Sequence, residues 1–225
     1  MRTLLITLTR LIFSHSYGII YLFCGELPQA KGYDVMTLPP STKRTDPRRY
    51  YQGQPGCENV IFQIAGVNVL VWSPTGENGK YLFLLQERSD GFYGAIGGAI
   101  DLFVNPQNEV VKFEHYQEAL SREFREETRH DLLEQPGTWL FLDFVMSQLD
   151  YPRHPSVYGA SLYFSTQSTP QRIQRYASGG SKEGNIVILD TTQVLQALQA
   201  GKVSPNTEPA LRKLLRNWCI LPVEG

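Results

Sequence analysis

From residue 59 onward the chain alternates short runs of β-branched and aromatic residues with segments whose apolar positions recur every three or four residues. That alternation confines it to an α/β architecture, because the two periods bury a sheet face and a helix stripe respectively. The runs NVIFQIAGVNVLVW (59–72) and YLFLLQERS (81–89) read as strands, and the turn-rich SPTGENG (73–79) between them predicts a hairpin. TWLFLDFVM (138–146), SVYGASLYFST (156–166) and NIVILD (185–190) read as further strands. DGFYGAIGG (90–98) is a glycine-dense loop. TTQVLQALQAG (191–201) has a Thr cap, a helical apolar period and a closing Gly, and EPALRKLLRNW (208–218) carries Pro near its start, so both are helices. A third helix runs through 114–128, where Tyr116, Leu120 and Phe124 form one apolar stripe. The expected fold is an α/β sandwich around a mixed sheet.

Composition narrows the function classes. With 225 residues, 42% hydrophobic and 12% aromatic, the chain has the material for one sizeable packed domain. Its 21 basic and 22 acidic residues, a formal −1, argue against a broad charge-driven nucleic-acid surface, and no nucleic-acid partner is expected. Cys24, Cys57 and Cys219 are too scattered for a disulfide framework or a thiolate zinc site, and His15, His115, His130 and His154 have no metal-ligand spacing. There is no GxxxxGK phosphate loop, no dinucleotide glycine fingerprint and no Gly-x-Ser-x-Gly elbow. No period of 20 to 50 residues repeats.

The start of the chain differs from the rest. Residues 3–25 are strongly apolar but broken by Arg10 and His15, and the longest uncharged run, 11–25, is shorter than the ~20 residues of a membrane-spanning helix. Bulky Tyr21, Leu22 and Phe23 before Cys24 do not resemble a signal cleavage site. The expectation is therefore a helix or strand packed on the domain, or a functional start near Met36, in a cytoplasmic protein; export or membrane anchoring through 3–25 is the alternative. Residues 29–55, rich in Pro, Arg and Tyr, read as an ordered surface arm or linker. The expected division is an N-terminal segment and arm over 1–55 and the main domain over 56–225, with the arm covering either the site or a partner in a homodimer.

The chemistry concentrates in EHYQEALSREFREET (114–128). Glu123, Glu126 and Glu127 stand at i, i+3 and i+4 and project from one arc of about 100°. Each like-charge contact at that spacing costs a few tenths of a kcal/mol. A hard divalent cation reverses the sign, since Mg²⁺ and Mn²⁺ prefer anionic oxygen sites. A solvated charged face beside the core stripe is the simpler reading of the same string, with Arg122 and Arg125 offsetting the repulsion. Upstream, Gly97-Gly98 follows a strand and a turn, where bare backbone lets a phosphate approach. Glu114 stands seven residues before Arg122.

Together these residues resemble the Nudix hydrolase family, whose box reads G-x5-E-x7-R-E-U-x-E-E-x-G-U, with U bulky and apolar. Glu114-x7-Arg122-Glu123-Phe124-Arg125-Glu126-Glu127 matches without a gap, and YLFLLQERSDGFYGAIGGAID looks like the strand and the Gly-Gly-x-x-acid entry, with Asp101 as the acid. The resemblance runs from about Asn59 to Asp190. It departs in three places: fifteen residues separate Gly98 from Glu114 where the family has five, Arg129 and His130 replace the closing Gly and apolar residue, and Ile96 stands where Pro is common. The extra residues, around LFVNPQNEVVKF, are expected as a longer loop. Arg at a left-handed helix end is costly, so the helix is expected to run on or end differently.

The resemblance implies a Nudix-like α/β/α sandwich and metal-dependent hydrolysis of a pyrophosphate bond in a nucleoside diphosphate linked to another group. Glu123, Glu126 and Glu127 would bind Mg²⁺ or Mn²⁺, with Glu114 supporting the loop-to-helix junction and adding to the metal shell. Arg122 would orient the carboxylates. Gly97, Gly98 and Arg88 would meet the phosphates. A carboxylate in the box or on a later loop would take the water's proton, Glu183 being the later candidate. Phe92, Tyr93, Tyr158 and Tyr163 are either base-stacking residues or core. The alternative is a nucleotide-sensing protein of the same fold that binds without turnover.

Overall fold

The computed structural model describes residues 41–47, 62–77, 80–148, 157–179, 184–218 and 220. The apolar segment 3–25, Met36, Cys57, Cys219, His154 and Glu183 lie outside the described residues.

Two sheets form. The larger contains β2 (Phe62–Pro74), β3 (Tyr81–Arg88), β4 (Tyr93–Gly94), β5 (Ile96–Ala99), β8 (Leu140–Gln148), β9 (Val157–Gln167) and β10 (Gly184–Asp190). Its order is β10-β3-β2-β9-β8, with β4 paired to β3 and β5 paired to β2. β2 and β9 run parallel and the other neighbours antiparallel, so the sheet is mixed as expected. β2 and β3 pair antiparallel as the predicted hairpin, Val71 facing Leu84.

Alternation along the strands sends side chains to two separate cores. On one face Leu70, Phe83, Leu85, Leu142 and Tyr163 pack against α3 (Thr191–Gln199) and α4 (Glu208–Asn217). On the other, Val67, Val69, Val71, Leu84, Ile96 and Phe164 pack against α1 (Tyr116–Thr128) and α2 (Pro170–Ala177). The result is an α/β/α sandwich. The predicted stripe holds: Leu120 and Phe124 are fully buried, and Tyr116 stacks on Phe164 with centroids 5.4 Å apart. Each large apolar side chain so buried contributes about 1.5–3 kcal/mol.

Three local differences have physical causes. The 90–98 segment is not all loop: β4 and β5 lie in it, because ladder bonds do not need the side chains that glycines lack. α2 follows from Thr169 as N-cap, its side chain accepting from the Arg172 N–H, with Pro170 at the first position. The cap of α3 is Asp190, which forms a reciprocal capping box with Gln193, while Thr191 bonds Tyr81 across the sheet.

The stretch between Gly98 and Glu114 is a hairpin rather than an open loop. β6 (Leu102–Val104) and β7 (Val110–Phe113) pair, and β1 (Lys43–Thr45), from the polar arm, adds a third strand against β6. Asn105 closes the turn, bonding the backbone and carboxylate of Glu109.

Tyr163 and Tyr176 are buried, and desolvation pushes both phenols up to about 12 from 10. The folded state holds these protons more tightly than the unfolded chain, so the stabilisation is complete below pH 10 and is lost as pH rises through 12. Chemical denaturation midpoints should fall across that window, and Tyr176→Phe should flatten the slope; an unchanged slope in the variant would refute the assignment.

Candidate active site

α1 begins at Tyr116 with His115 as cap, its ring accepting from the Gln117 N–H at 3.4 Å. From its middle turn Arg122 reaches back under β5. Its Nη2 donates to the Ala99 carbonyl and to Glu114 Oε2, both at 2.8 Å, and Nε donates to Glu114 Oε1 at 3.1 Å. Nη1 donates to Glu123 Oε1 at 2.6 Å, and Glu126 Oε1 is 3.8 Å away. Burial works against this charge, but the Glu114 hydrogen bonds and the Glu123 charge outweigh it and raise the guanidinium pKa above its usual value.

Gly97 and Gly98 make the corner beneath these carboxylates. Gly97 has φ +154°, and a Cβ there would lie 2.1 Å from the Val67 carbonyl oxygen. A Cβ on Gly98 would lie 2.5–2.6 Å from the Glu123 carboxyl group, so that carboxylate occupies the space a side chain would fill. Burial raises the Glu123 pKa; Arg122 opposes the shift, and the charges of Glu126 and Asp101 add to it.

The three helix carboxylates meet different surroundings. Glu123 is largely buried and paired with Arg122. Glu126 is 43% exposed. Glu127 is buried and accepts from the Gln86 amide of β3. Among the described residues no three His, Cys, Asp or Glu side chains are gathered to hold a metal ion. The donor chemistry nonetheless fits a hard cation: the set is all carboxylate, and the charges of Glu126 and Asp101 add to the burial that raises the Glu123 pKa. Glu114 gives both oxygens to Arg122 and accepts the Asp101 N–H at 3.2 Å.

Other candidates lie elsewhere. Arg88 pairs with Asp90 at 3.2 Å, and its stem runs beside Gly94 with Ser204 and Thr207. Tyr163 belongs to the α3/α4 core, and Phe92 and Tyr93 are half-buried. On α4, Arg212 pairs with Glu208 at 2.7 Å, and Lys213 is 3.6 Å from Asp143. Gln86, Arg44 and the Ala99 carbonyl were missed. The signal for Gln86 was present, a polar residue continuing the apolar run YLFLLQ.

α1 stops after Thr128 despite the missing glycine. Arg129 itself takes the left-handed conformation, φ 61° and ψ 15°, and its N–H bonds the Arg125 carbonyl at 2.9 Å. The expectation that the helix would run on or end differently is corrected, because the cap bonds outweigh the backbone strain.

With the carboxylate helix packed over the two glycines of β5, the architecture is an α/β/α sandwich with a mixed sheet. No protein-family model matches the chain, and no curated protein does. Among solved structures it is similar to NrtR of Shewanella oneidensis, with 16% identity, a TM-score of 0.44, 69% of this chain covered and 65% of that one. The match thus spans about two thirds of NrtR. It is also similar to the NUDIX domain of that protein complexed with ADP ribose (14%, TM-score 0.41, 78% and 97% covered). A third is a NUDIX hydrolase from Nitrosomonas europaea (17%, TM-score 0.43, 72% and 97% covered). Among the described residues no helix is long and apolar enough to cross a membrane.

Two sets of variants test this arrangement. Gly97→Ala should cost about 2 kcal/mol or more, since both the φ and the Val67 carbonyl forbid it. Gly98→Ala should cost less, about 1 kcal/mol, by pushing the Glu123 carboxylate off its bond to Arg122. Thermal melts that show equal losses for both would contradict this geometry. Arg129→Gly should stabilise the fold by about 1 kcal/mol, less the greater freedom of Gly in the unfolded chain, and a lower melting temperature would be the opposing result.

Proposed function

We propose that the chain hydrolyses a pyrophosphate bond in a nucleoside diphosphate linked to another group, using Mg²⁺ or Mn²⁺. The observation that carries this reading is the Glu123 carboxylate, seated over the bare backbone of Gly98 and fixed there by Arg122. Glu123, Glu126 and Glu127 would hold the metal, which when bound neutralises pyrophosphate charge and lowers the pKa of a water for attack at phosphorus. Gly98, without a side chain, lets the Glu123 carboxylate lie close against the main chain. Arg122 keeps Glu123 in place with its charge balanced, and Glu114 keeps Arg122 in place. Glu126, the most exposed of the three, has the access to accept the water's proton. Glu183 is the other candidate base and lies outside the described residues. The partner is a small nucleotide-type molecule.

One observation favours a second reading, a nucleotide-sensing protein without turnover: Glu127 is taken by Gln86, and Glu123 and Glu126 both lie within ion-pair reach of Arg122.

A single assay separates the readings. The protein is incubated with ADP-ribose, dinucleoside polyphosphates, nucleotide sugars and nucleoside triphosphates in Mg²⁺ or Mn²⁺, beside Glu126→Gln and Glu127→Gln. Hydrolysis that drops by about 10²-fold or more in the variants is the expected result. Nucleotide binding without hydrolysis would establish the sensor, and neither binding nor hydrolysis would sink both readings.

A further inference from the structure

The charged corner extends beyond the motif to the polar arm. Arg44, in the middle of β1, donates from Nε to Asp101 Oδ2 at 2.6 Å, and its Nη2 is 3.6 Å from Glu114 Oε1. Those two carboxylates are also partners of Arg122, Glu114 by direct bonds and Asp101 at 3.6 Å. They stand at the base of the β6–β7 hairpin, where the Glu114 N–H donates to the Asp101 carbonyl at 2.8 Å. β1 is held in register by its ladder to β6, with Arg44 opposite Phe103.

The charge balance gives Arg44 a specific task. Asp101, Glu114 and Glu123 present three negative charges around one partly buried guanidinium. An arginine can satisfy only the acceptors its planar fork reaches. With Asp101 left to Arg122 alone, the fork would be drawn toward Asp101 and away from Glu123. We propose that Arg44 is a positioning residue of the candidate active site: by engaging Asp101 it leaves Arg122 to Glu114 and Glu123, and so fixes the Glu123 carboxylate over Gly98. The arm strand β1 is then a part of the site.

The test uses the full chain with Arg44→Gln and Arg44→Lys. In the parent, the Arg122 Nε–H, bonded to Glu114, should give a slowly exchanging ¹⁵N side-chain resonance. In Arg44→Gln that exchange should accelerate by about fivefold or more, with the backbone amides of α1 unchanged. Arg44→Lys should restore it in part, since it returns the charge without the fork. An unaltered Arg122 resonance in Arg44→Gln overturns the proposal, as does general acceleration across α1, which would mark a merely structural contact. The kinetic arm rests on the hydrolase reading: kcat should fall about 10-fold or more in Arg44→Gln with KM nearly constant. An unchanged kcat also overturns the proposal. A parent enzyme without turnover would count against the hydrolase reading alone, because the Arg122 resonance still decides the role of Arg44.

Discussion

A guanidinium drawn partly out of water needs acceptors around it, and Arg122 brings separate parts of the chain together for that reason. It takes a carbonyl from β5, a carboxylate from the start of the helix segment and a carboxylate from its own next residue. None of these acceptors is near the others without the β5–β2 ladder and the hairpin stem. The site is thus a consequence of satisfying one cation, and its carboxylates acquire fixed places as a by-product.

Such a hub tolerates a long detour in the chain. Fifteen residues lie between Gly98 and Glu114, yet the two ends return to each other because the detour folds as a closed hairpin stapled at Asp101 and Glu114. Loop-closure entropy grows only slowly with length, so the larger loop costs little once its ends are pinned. β1 then covers the outer edge of β6, which removes an open ladder and brings a second arginine to the stem.

Periodicity made much of the fold legible. The strands over 62–74, 81–88, 140–148, 157–167 and 184–190 and three of the four helices among the described residues follow from it, because each buries a continuous face. The hairpin over 102–113 was hidden because its strands are only three and four residues long. β4 and β5 were hidden because glycines carry no pattern. The spacing of Glu123, Glu126 and Glu127 on a helix over Gly97-Gly98 was readable from sequence, since helical geometry dictates it. Pairing across elements was not readable: neither the Gln86–Glu127 bond nor the reach of Arg44 leaves a mark in local spacing.

Those cross-element bonds also decide how three acids coexist on one arc. Glu123 is balanced by Arg122, Glu127 is held by a neutral amide, and Glu126 keeps about two fifths of its surface in water. Repulsion at i, i+3 and i+4 is therefore relieved by a guanidinium that Glu123 and Glu126 share, by the Gln86 amide and by solvent. A divalent cation at this arc would compete with Arg122 for the charge of Glu123, and the fork would have to rely more on Glu114 and Asp101. Cation affinity and the hold on Arg122 are accordingly coupled, and any residue that shifts the second must shift the first.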